Sequence, residues 1–355
     1  MSSSIGNLLK VTLFGESHSA AVGVVIDRLP AGFTPDMDRV AAFMARRAPG
    51  NSALTSARRE ADIPEILCGL YNGKTCGTPL TAIFRNSDVR SGDYAAIAAL
   101  PRPGHADFTM DAKTGGCNDP RGGGHSSARL TVGLCFAGAL CLQYLEQHGI
   151  AVKVRIHSVG TVVNTAEDGL DAQATAEIEN AKNAGDSVGG IVECVADGLP
   201  AGLGEPIFDG VENRLAQAIF GIPAVKGIEF GNGFAAAALR GSGNNDSFIV
   251  ADGKIRTATN NHGGILGGIT SGMPLTFRVA FKPTPSIAKT QQTVNMRTLQ
   301  PGELEIRGRH DPCVVVRAVP IVEAVTAITL LDLILVSRRL HTVFPVSRCL
   351  HTDRP

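Results

Sequence analysis

The chain of 355 residues has no tryptophan, only 3 tyrosines and 5% aromatic residues in all. So few rings leave little for nucleic-acid bases to stack on, and no run of lysine or arginine is long enough to follow a phosphate backbone. A nucleic-acid partner is therefore not expected. Net charge is missing too, with 33 basic residues against 33 acidic. The eight cysteines (Cys68, Cys76, Cys117, Cys135, Cys141, Cys194, Cys313 and Cys349) form no C-x-x-C pair and no Cys/His cluster at zinc spacing. That pattern argues against a disulfide framework or a structural metal and for buried thiols. Met1 to Lys10 lacks the basic-then-apolar order of a secretory signal. The apolar runs are interrupted before the roughly 18–20 residues of a membrane span. Thr131 to Leu145 is flanked by Arg129 and Glu146, and Val314 to Val336 is broken by Arg317, Pro320, Glu323 and Asp332. A soluble cytoplasmic protein without a membrane partner is the expectation.

What is present is arginine, glycine and an uneven distribution of charge. Residues 1–130 carry 14 basic and 12 acidic side chains, residues 131–252 carry 6 and 15, and residues 253–355 carry 13 and 6. Arginine outnumbers lysine 24 to 9. Its planar fork of donors suits phosphate and carboxylate, so a small anionic substrate fits. The charge pattern predicts that both ends of the chain meet in one positive cavity.

Secondary-structure signals predict mixed α and β without regular βαβ alternation. Thr34-Pro35-Asp36 opens a helix with Val40, Phe43 and Met44 on one face, stopped by Pro49-Gly50. A second helix, apolar nearly all round and hence central, is expected from about Ser126-Ser127 to His148-Gly149. Asp171 and Asp209 are expected as helix N-caps. Val152 to His157 and Leu275 to Lys282 alternate strictly, as strands with one wet face do, and Gly189 to Val195 reads as another strand. Antiparallel sheets packed with helices fit these better than a buried parallel sheet. No linker cuts the chain, so one catalytic domain is expected over residues 1–339, followed by an atypical tail over 340–355.

Three glycine-dense loops stand out: Arg121 to Ser127, Asn261 to Gly268, and the turn around Gly241-Ser242-Gly243. The first leads into a helix and offers backbone N–H groups and hydroxyls to an anion. Glycines serving only tight turns are an equal reading of any one such loop. It is neither a dinucleotide fingerprint nor a Walker loop. His18, in Gly15-Glu16-Ser17-His18, and His105, in Arg102-Pro103-Gly104-His105-Ala106-Asp107, lie in polar turns and are candidate acids. Singly, each is more often an ordinary hydrogen-bonded histidine. The charged run Arg58-Arg59-Glu60 with Asp62 reads as solvated surface. Gly308 to Cys313 sets charge just before the apolar Val314-Val315-Val316, which points to a site or a buried pair.

Taken together and in this order, Gly15 to His18, Arg102 to Asp107, Gly122 to Arg129, Lys282-Pro283-Thr284 and Gly308 to Cys313 resemble the chorismate synthase family, over about residues 5–336. The resemblance implies an α+β fold, a single-domain β-α-β sandwich of antiparallel sheets packed with helices, and a homotetramer. It implies a shikimate-pathway lyase that eliminates phosphate from 5-enolpyruvylshikimate 3-phosphate, with reduced FMN as cofactor and an external flavin-reducing system. By motif match, His18 would give a proton to the leaving phosphate and His105 would keep the reduced flavin in its favoured protonation state. Ser17, Ser127 and Asp311 would complete the hydrogen-bond relay. Arg47, Arg102, Arg121, Arg129 and Arg309 would hold the substrate's phosphate and carboxylates, in no assigned order. FMN contacts are expected at His125, Ser126, Ser127, Pro223, Ala224, Gly267, Lys282, Pro283, Thr284, Pro285, Ser286 and Arg309, and no metal is expected.

Three positions depart from the family pattern. His125 stands where the family usually has Arg, Ala53 where it has a basic residue, and Ser19 where it has Gly. The lost charges alter the electrostatics of flavin or nicotinamide contact, and His125 is expected to make binding there depend on pH. Two rival readings follow: a flavin-dependent oxidoreductase, which consumes reductant at each turnover, and a non-catalytic flavin- or phosphate-binding relative.

Overall fold

A computed structural model describes residues 2–50, 54–55, 62–87, 99–306 and 311–343. Its frame is two five-stranded antiparallel sheets. The first has the order β1-β2-β3-β7-β4, built from β1 (Ser4–Ile5), β2 (Lys10–Gly15), β3 (Ala21–Asp27), β4 (Glu65–Cys68) and β7 (Leu80–Arg85). The second has the order β11-β16-β10-β8-β9, from β8 (Ala151–Val159), β9 (Val162–Val163), β10 (Gly190–Asp197), β11 (Val225–Phe230) and β16 (Leu275–Phe281). Alternation of buried and partly exposed residues along β10 and β16 matches the period-2 pattern expected of a sheet with one face on the core. Four small ribbons decorate the sheets: β5–β6 (Leu70–Tyr71, Lys74–Thr75), β12–β13 (Phe248–Ala251, Lys254–Thr257), β14–β15 (Ile265–Leu266, Ile269–Thr270) and β17–β18 (Gln291–Val294, Pro301–Leu304).

Helices accompany the sheets among the described residues. They are α1 (Met37–Arg47), α2 (Asp107–Thr114), α3 (Thr131–Glu146), α4 (Ala172–Asn183), α5 (Val211–Ile219), the single turn α6 (Gly241–Asn244) and α7 (Val315–Val343). α3 packs on β2, β3 and β7, α7 packs on β8 and β10, and the two helices pack on each other. Glycine makes those approaches close. A Cβ on Gly138 would fall 2.2 Å from that of Ala324, and one on Gly133 would fall 2.8 Å from Leu13. The layers are therefore sheet, helices, sheet, the expected β-α-β sandwich.

α1 begins where expected: Asp36 caps it, its carboxylate accepting from the backbone N–H groups of Asp38 and Arg39, and Val40, Phe43 and Met44 are buried. Asp171 caps α4 through Ala174 N–H. Two expectations need correction. Regular helix begins at Thr131, not near Ser126, because Gly122 to Gly124 run at positive φ and a single 3-10 turn over residues 128–130 comes before the helix. Gly210 rather than Asp209 caps α5, since Asp209 is drawn to Arg214 one turn into that helix. The apolar helical stretches Ala128–Glu146 and Val315–Ser337 are, unlike the interrupted windows read from sequence, long and apolar enough to cross a membrane. Here 89% and 78% of their apolar windows are buried inside the protein, as core helices are. Of the described cysteines, Cys135, Cys141, Cys194 and Cys313 are buried and Cys68, Cys76 and Cys117 are exposed.

The N-terminal segment is tied to α7. Asp332 is 1% exposed, and its carboxylate accepts the backbone N–H groups of Asn7, Leu8 and Leu9 at 2.7, 2.7 and 2.8 Å and pairs with Arg214. Arg317, also on α7, donates from Nε to the carbonyl of Arg47 at 3.0 Å and pairs with Asp311 at 2.7 Å. Both ends of the described chain thus converge on the same helix.

Candidate active site

The glycine loop is the partition around which the candidate residues gather. Gly122, Gly123 and Gly124 have φ of 60°, 87° and 53°, values that a side chain adopts only with strain. Space imposes the same choice. A Cβ on Gly122 would lie 2.5 Å from the His18 ring and 2.6 Å from Ser17 Oγ, and one on Gly123 would lie 2.9 Å from His105 Cε1 and 3.2 Å from its Nε2. Ser17 and His18 therefore press on one glycine and His105 on the next. Ser17 N–H donates to Gly124 O at 3.2 Å, fixing the first motif to the loop. Ser17 is fully buried, and its Oγ has no hydrogen-bond partner among the described residues.

On the His105 side the ordering group is Asp107. Its Oδ2 accepts from Arg102 N–H (3.0 Å) and Nε (2.7 Å), while its Oδ1 lies 2.7 Å from both an Arg102 terminal nitrogen and His105 Nδ1. Burial by itself raises the Asp107 carboxyl pKa; hydrogen bonds from Arg102 and then His105 outweigh it and hold the group well below the usual carboxylate range. Arg102 also reaches Ser286 Oγ at 3.5 Å, and Lys282 Nζ donates to Gly104 O at 2.9 Å. Burial, then the neighbouring Lys226, lowers the Lys282 pKa. Lys282 N–H donates to Ala224 O, which draws residues 223–224 to the same edge. A cleft of about 290 Å³ opens beside His105, lined by Ala106, Asp107, Pro120, Gly123, Met296 and Arg297 among others.

A second cluster is organised by Asp62, which is not on a solvated surface as its sequence neighbours suggested. It is 6% exposed and sits between Arg47 (2.6 Å) and Arg129. Here too burial raises the carboxyl pKa, and the guanidiniums of Arg47 and Arg129 more than reverse it. The remaining donors of both arginines are also used inside the protein. Arg47 donates to Thr131 Oγ1 and Ala128 O, and Arg129 to Asn86 Oδ1 and Arg85 O. Through Ala128 this cluster abuts Ser127, whose Oγ accepts from Arg129 N–H. Through Arg317 it reaches Asp311.

The other expected site residues fall in three places. Arg121 is partly exposed and paired with Asp119 at 2.7 Å, and Asp119 in turn feels His18. His125 is clamped at both ring nitrogens, Nδ1 against Gly15 O and Nε2 against Ser3 Oγ, each at 2.8 Å. Gly267 lies in the β14–β15 turn, where the next residue, Gly268, packs on Glu205 and Gly210. Arg309 and Ala53 lie outside the described residues, as do Arg58, Arg59 and Glu60. The ends of the chain do meet, but not as an unneutralised cavity. Each described arginine of the set, Arg47, Arg102, Arg121 and Arg129, has an aspartate partner.

Comparison with known proteins gives this arrangement a family. The family model "Chorismate synthase" matches residues 9–335. The chorismate synthase of Korarchaeum cryptofilum is 47% identical over 352 residues, covering 94% of this chain and 98% of that protein. That of Dehalococcoides mccartyi is 48% identical over 353 residues, with 94% and 97% covered. This chain belongs to the chorismate synthase family. A solved structure, "Crystal Structure of Chorismate Synthase", superposes with a TM-score of 0.73 at 28% identity, covering 94% of this chain and 93% of that one. Membership brings the fold of that enzyme family with it, and the sheet–helix–sheet layering agrees.

As a chorismate synthase family member the chain also shows what motif matching leaves out. Asp62, Asp107, Asp119 and Arg317 carry no role in the sequence reading, yet each fixes a residue that does. For Asp107 a signal existed, since it lies two residues after His105 and five after Arg102. For Asp62 none did: its arginine partners are 15 and 67 residues away.

Proposed function

We propose that the protein is a chorismate synthase that converts 5-enolpyruvylshikimate 3-phosphate to chorismate and inorganic phosphate by a 1,4-anti elimination. The observation that carries this reading is the packing of Ser17 and His18 on one glycine and His105 on the next, within a chain that matches the family from residue 9 to 335. The elimination breaks a ring C–O bond to phosphate and a C–H bond that is not acidic, so a side-chain base alone is poorly matched to it. Bound reduced FMN would supply the missing chemistry, one-electron redox chemistry with no net use of reductant.

The residues present fit such a group. Ser17 Oγ is a buried hydroxyl without a partner among the described residues, and Lys282, Ser286 and Arg102, with His105 once it has gained a proton, form a donor set suited to an anionic, hydrogen-bonding cofactor. Ser126, Ser127, Pro223, Ala224 and residues Lys282 to Ser286 would hold it. Contact from His125 would fall to its backbone, because its ring nitrogens already serve Ser3 and Gly15. Gly267 and Arg309 complete the expected set. His18 would hold a proton for the leaving phosphate, and His105 would hold one next to the flavin. Arg102 and Arg121, with Arg47 and Arg129 behind them, would offset the substrate's negative charge. Ser17, Ser127 and Asp311 would keep these groups in register.

A homotetramer belongs to the same reading. It is supported by the β12–β13 ribbon, where Phe248, Val250 and Ile255 are 69%, 78% and 73% exposed on a two-stranded element that has little stability alone. Light scattering of the purified protein measures the assembly.

The activity is tested anaerobically with reduced FMN and 5-enolpyruvylshikimate 3-phosphate. Phosphate and chorismate should appear in equal amounts with no net oxidation of the flavin. Net consumption of reductant would favour an oxidoreductase, and flavin binding without phosphate release a non-catalytic relative.

A further inference from the structure

We infer that Asp107 is a positioning residue that fixes the proton of the neutral His105 ring on Nδ1, so that Nε2 is the unprotonated nitrogen facing the glycine loop. The functional half of this inference rests on the activity proposed above; the tautomer half does not.

The argument is one of incompatible contacts. His105 Nδ1 has two neighbours, Asp107 Oδ1 at 2.7 Å and an Arg102 terminal nitrogen at 3.1 Å. If Nδ1 carried a lone pair it could accept from Arg102, but it would then hold that lone pair 2.7 Å from an acceptor-only carboxylate oxygen. Asp107 is ionised, because it accepts three further bonds from Arg102, one from the backbone and two from the guanidinium. With the proton on Nδ1, His105 donates to Oδ1 at a distance typical of a charge-assisted bond, and Arg102 is served by the same carboxylate. That arrangement gives Nδ1–H, Arg102 and Asp107 a partner each. Asp107 is 8% exposed at its side chain and Arg102 5%, so water does not substitute for either partner.

The consequence lies at the opposite edge of the ring. Nε2 is the nitrogen that a Cβ on Gly123 would approach to 3.2 Å, beside the cleft that Asp107 and Gly123 both line. A ring held this way presents a lone pair when neutral and a proton only after it has gained one. Removing the carboxylate lets the ring exchange tautomers and Nε2 lose that preparation, which in acid–base sites is worth about 10²–10⁴-fold in rate.

The test reads the ring directly. In FMN-free protein labelled with 15N-histidine, at a pH where His105 is neutral, His105→Gln identifies the resonance, and the wild type should show a protonated Nδ1 and a bare Nε2. In Asp107→Asn the Nε2–H form should rise to a large share of the population, and kcat should fall by at least about 10²-fold, more than KM changes. A wild-type ring protonated on Nε2 overturns the inference even if the variant does not fold. So does an Asp107→Asn protein that keeps the Nδ1–H form, or one that changes tautomer and turns over normally. If the wild type releases no phosphate, the proposed activity fails instead, and the 15N spectra still decide the tautomer.

Discussion

Asp62 is buried and Asp107 partly buried, their side chains 1% and 8% exposed, and each holds two basic side chains. At Asp62 both partners are arginines, whose charge is permanent and whose other donors end on protein oxygens. At Asp107 one partner is a histidine, whose far edge faces the glycine loop. In the first cluster every guanidinium nitrogen already has a protein acceptor; the second has a ring that can gain or lose a proton. The same three-part design thus acts as a brace in one place and as a proton holder in the other, and the choice of arginine or histidine makes the difference.

The comparison can be broken most sharply at Asp62. Asp62→Asn would leave two buried guanidiniums sharing a neutral amide, and the expected loss is about 3–5 kcal/mol of unfolding free energy, read by urea denaturation. Unchanged stability would mean that the cluster is no brace. Next in size is Gly122→Ala, which drives a methyl group into His18 and Ser17 at a φ of 60°. Turnover should fall about 10²-fold with the circular dichroism spectrum retained.

Acid should act on both clusters. Each carboxyl has a folded-state pKa below its unfolded value, so its contribution is complete above about pH 4 and is lost as pH falls towards the folded values. Unfolding free energy measured from pH 6 to pH 2 should decline below about pH 4, and less steeply in Asp62→Asn than in wild type. Smallest is Arg121→Ala. Its pair with Asp119 is exposed, so the unfolding midpoint should hardly move, while KM for the phosphorylated substrate rises.

Sequence patterns carried the sheets and helices because burial there is periodic. The Asp36 cap, the face of Val40, Phe43 and Met44, and the alternation in β8 and β16 are all local signals. The path of residues 121–130 was not legible, since consecutive glycines at positive φ specify freedom rather than a conformation. The motifs named His18, His105 and Ser17, and the fold brings all three to the glycine loop. What they could not name was the counter-charge. Whether Asp62 is solvated or buried is decided by Arg47 and Arg129, which reach it from α1 and from the turn before α3.

The clasp between Asp332 and residues 7–9 bears on how the protein is born. The first sheet, the glycine loop and α3 emerge from the ribosome well before α7, yet the face of α3 at Gly138 is covered only when Ala324 arrives. At ordinary elongation rates that interval is on the order of 10–40 s, during which an almost wholly apolar helix has no partner on that side. Until then the backbone carbonyl of Arg47 lacks the Arg317 donor. Translation order therefore leaves one apolar face of α3 without its partner until α7 has been made.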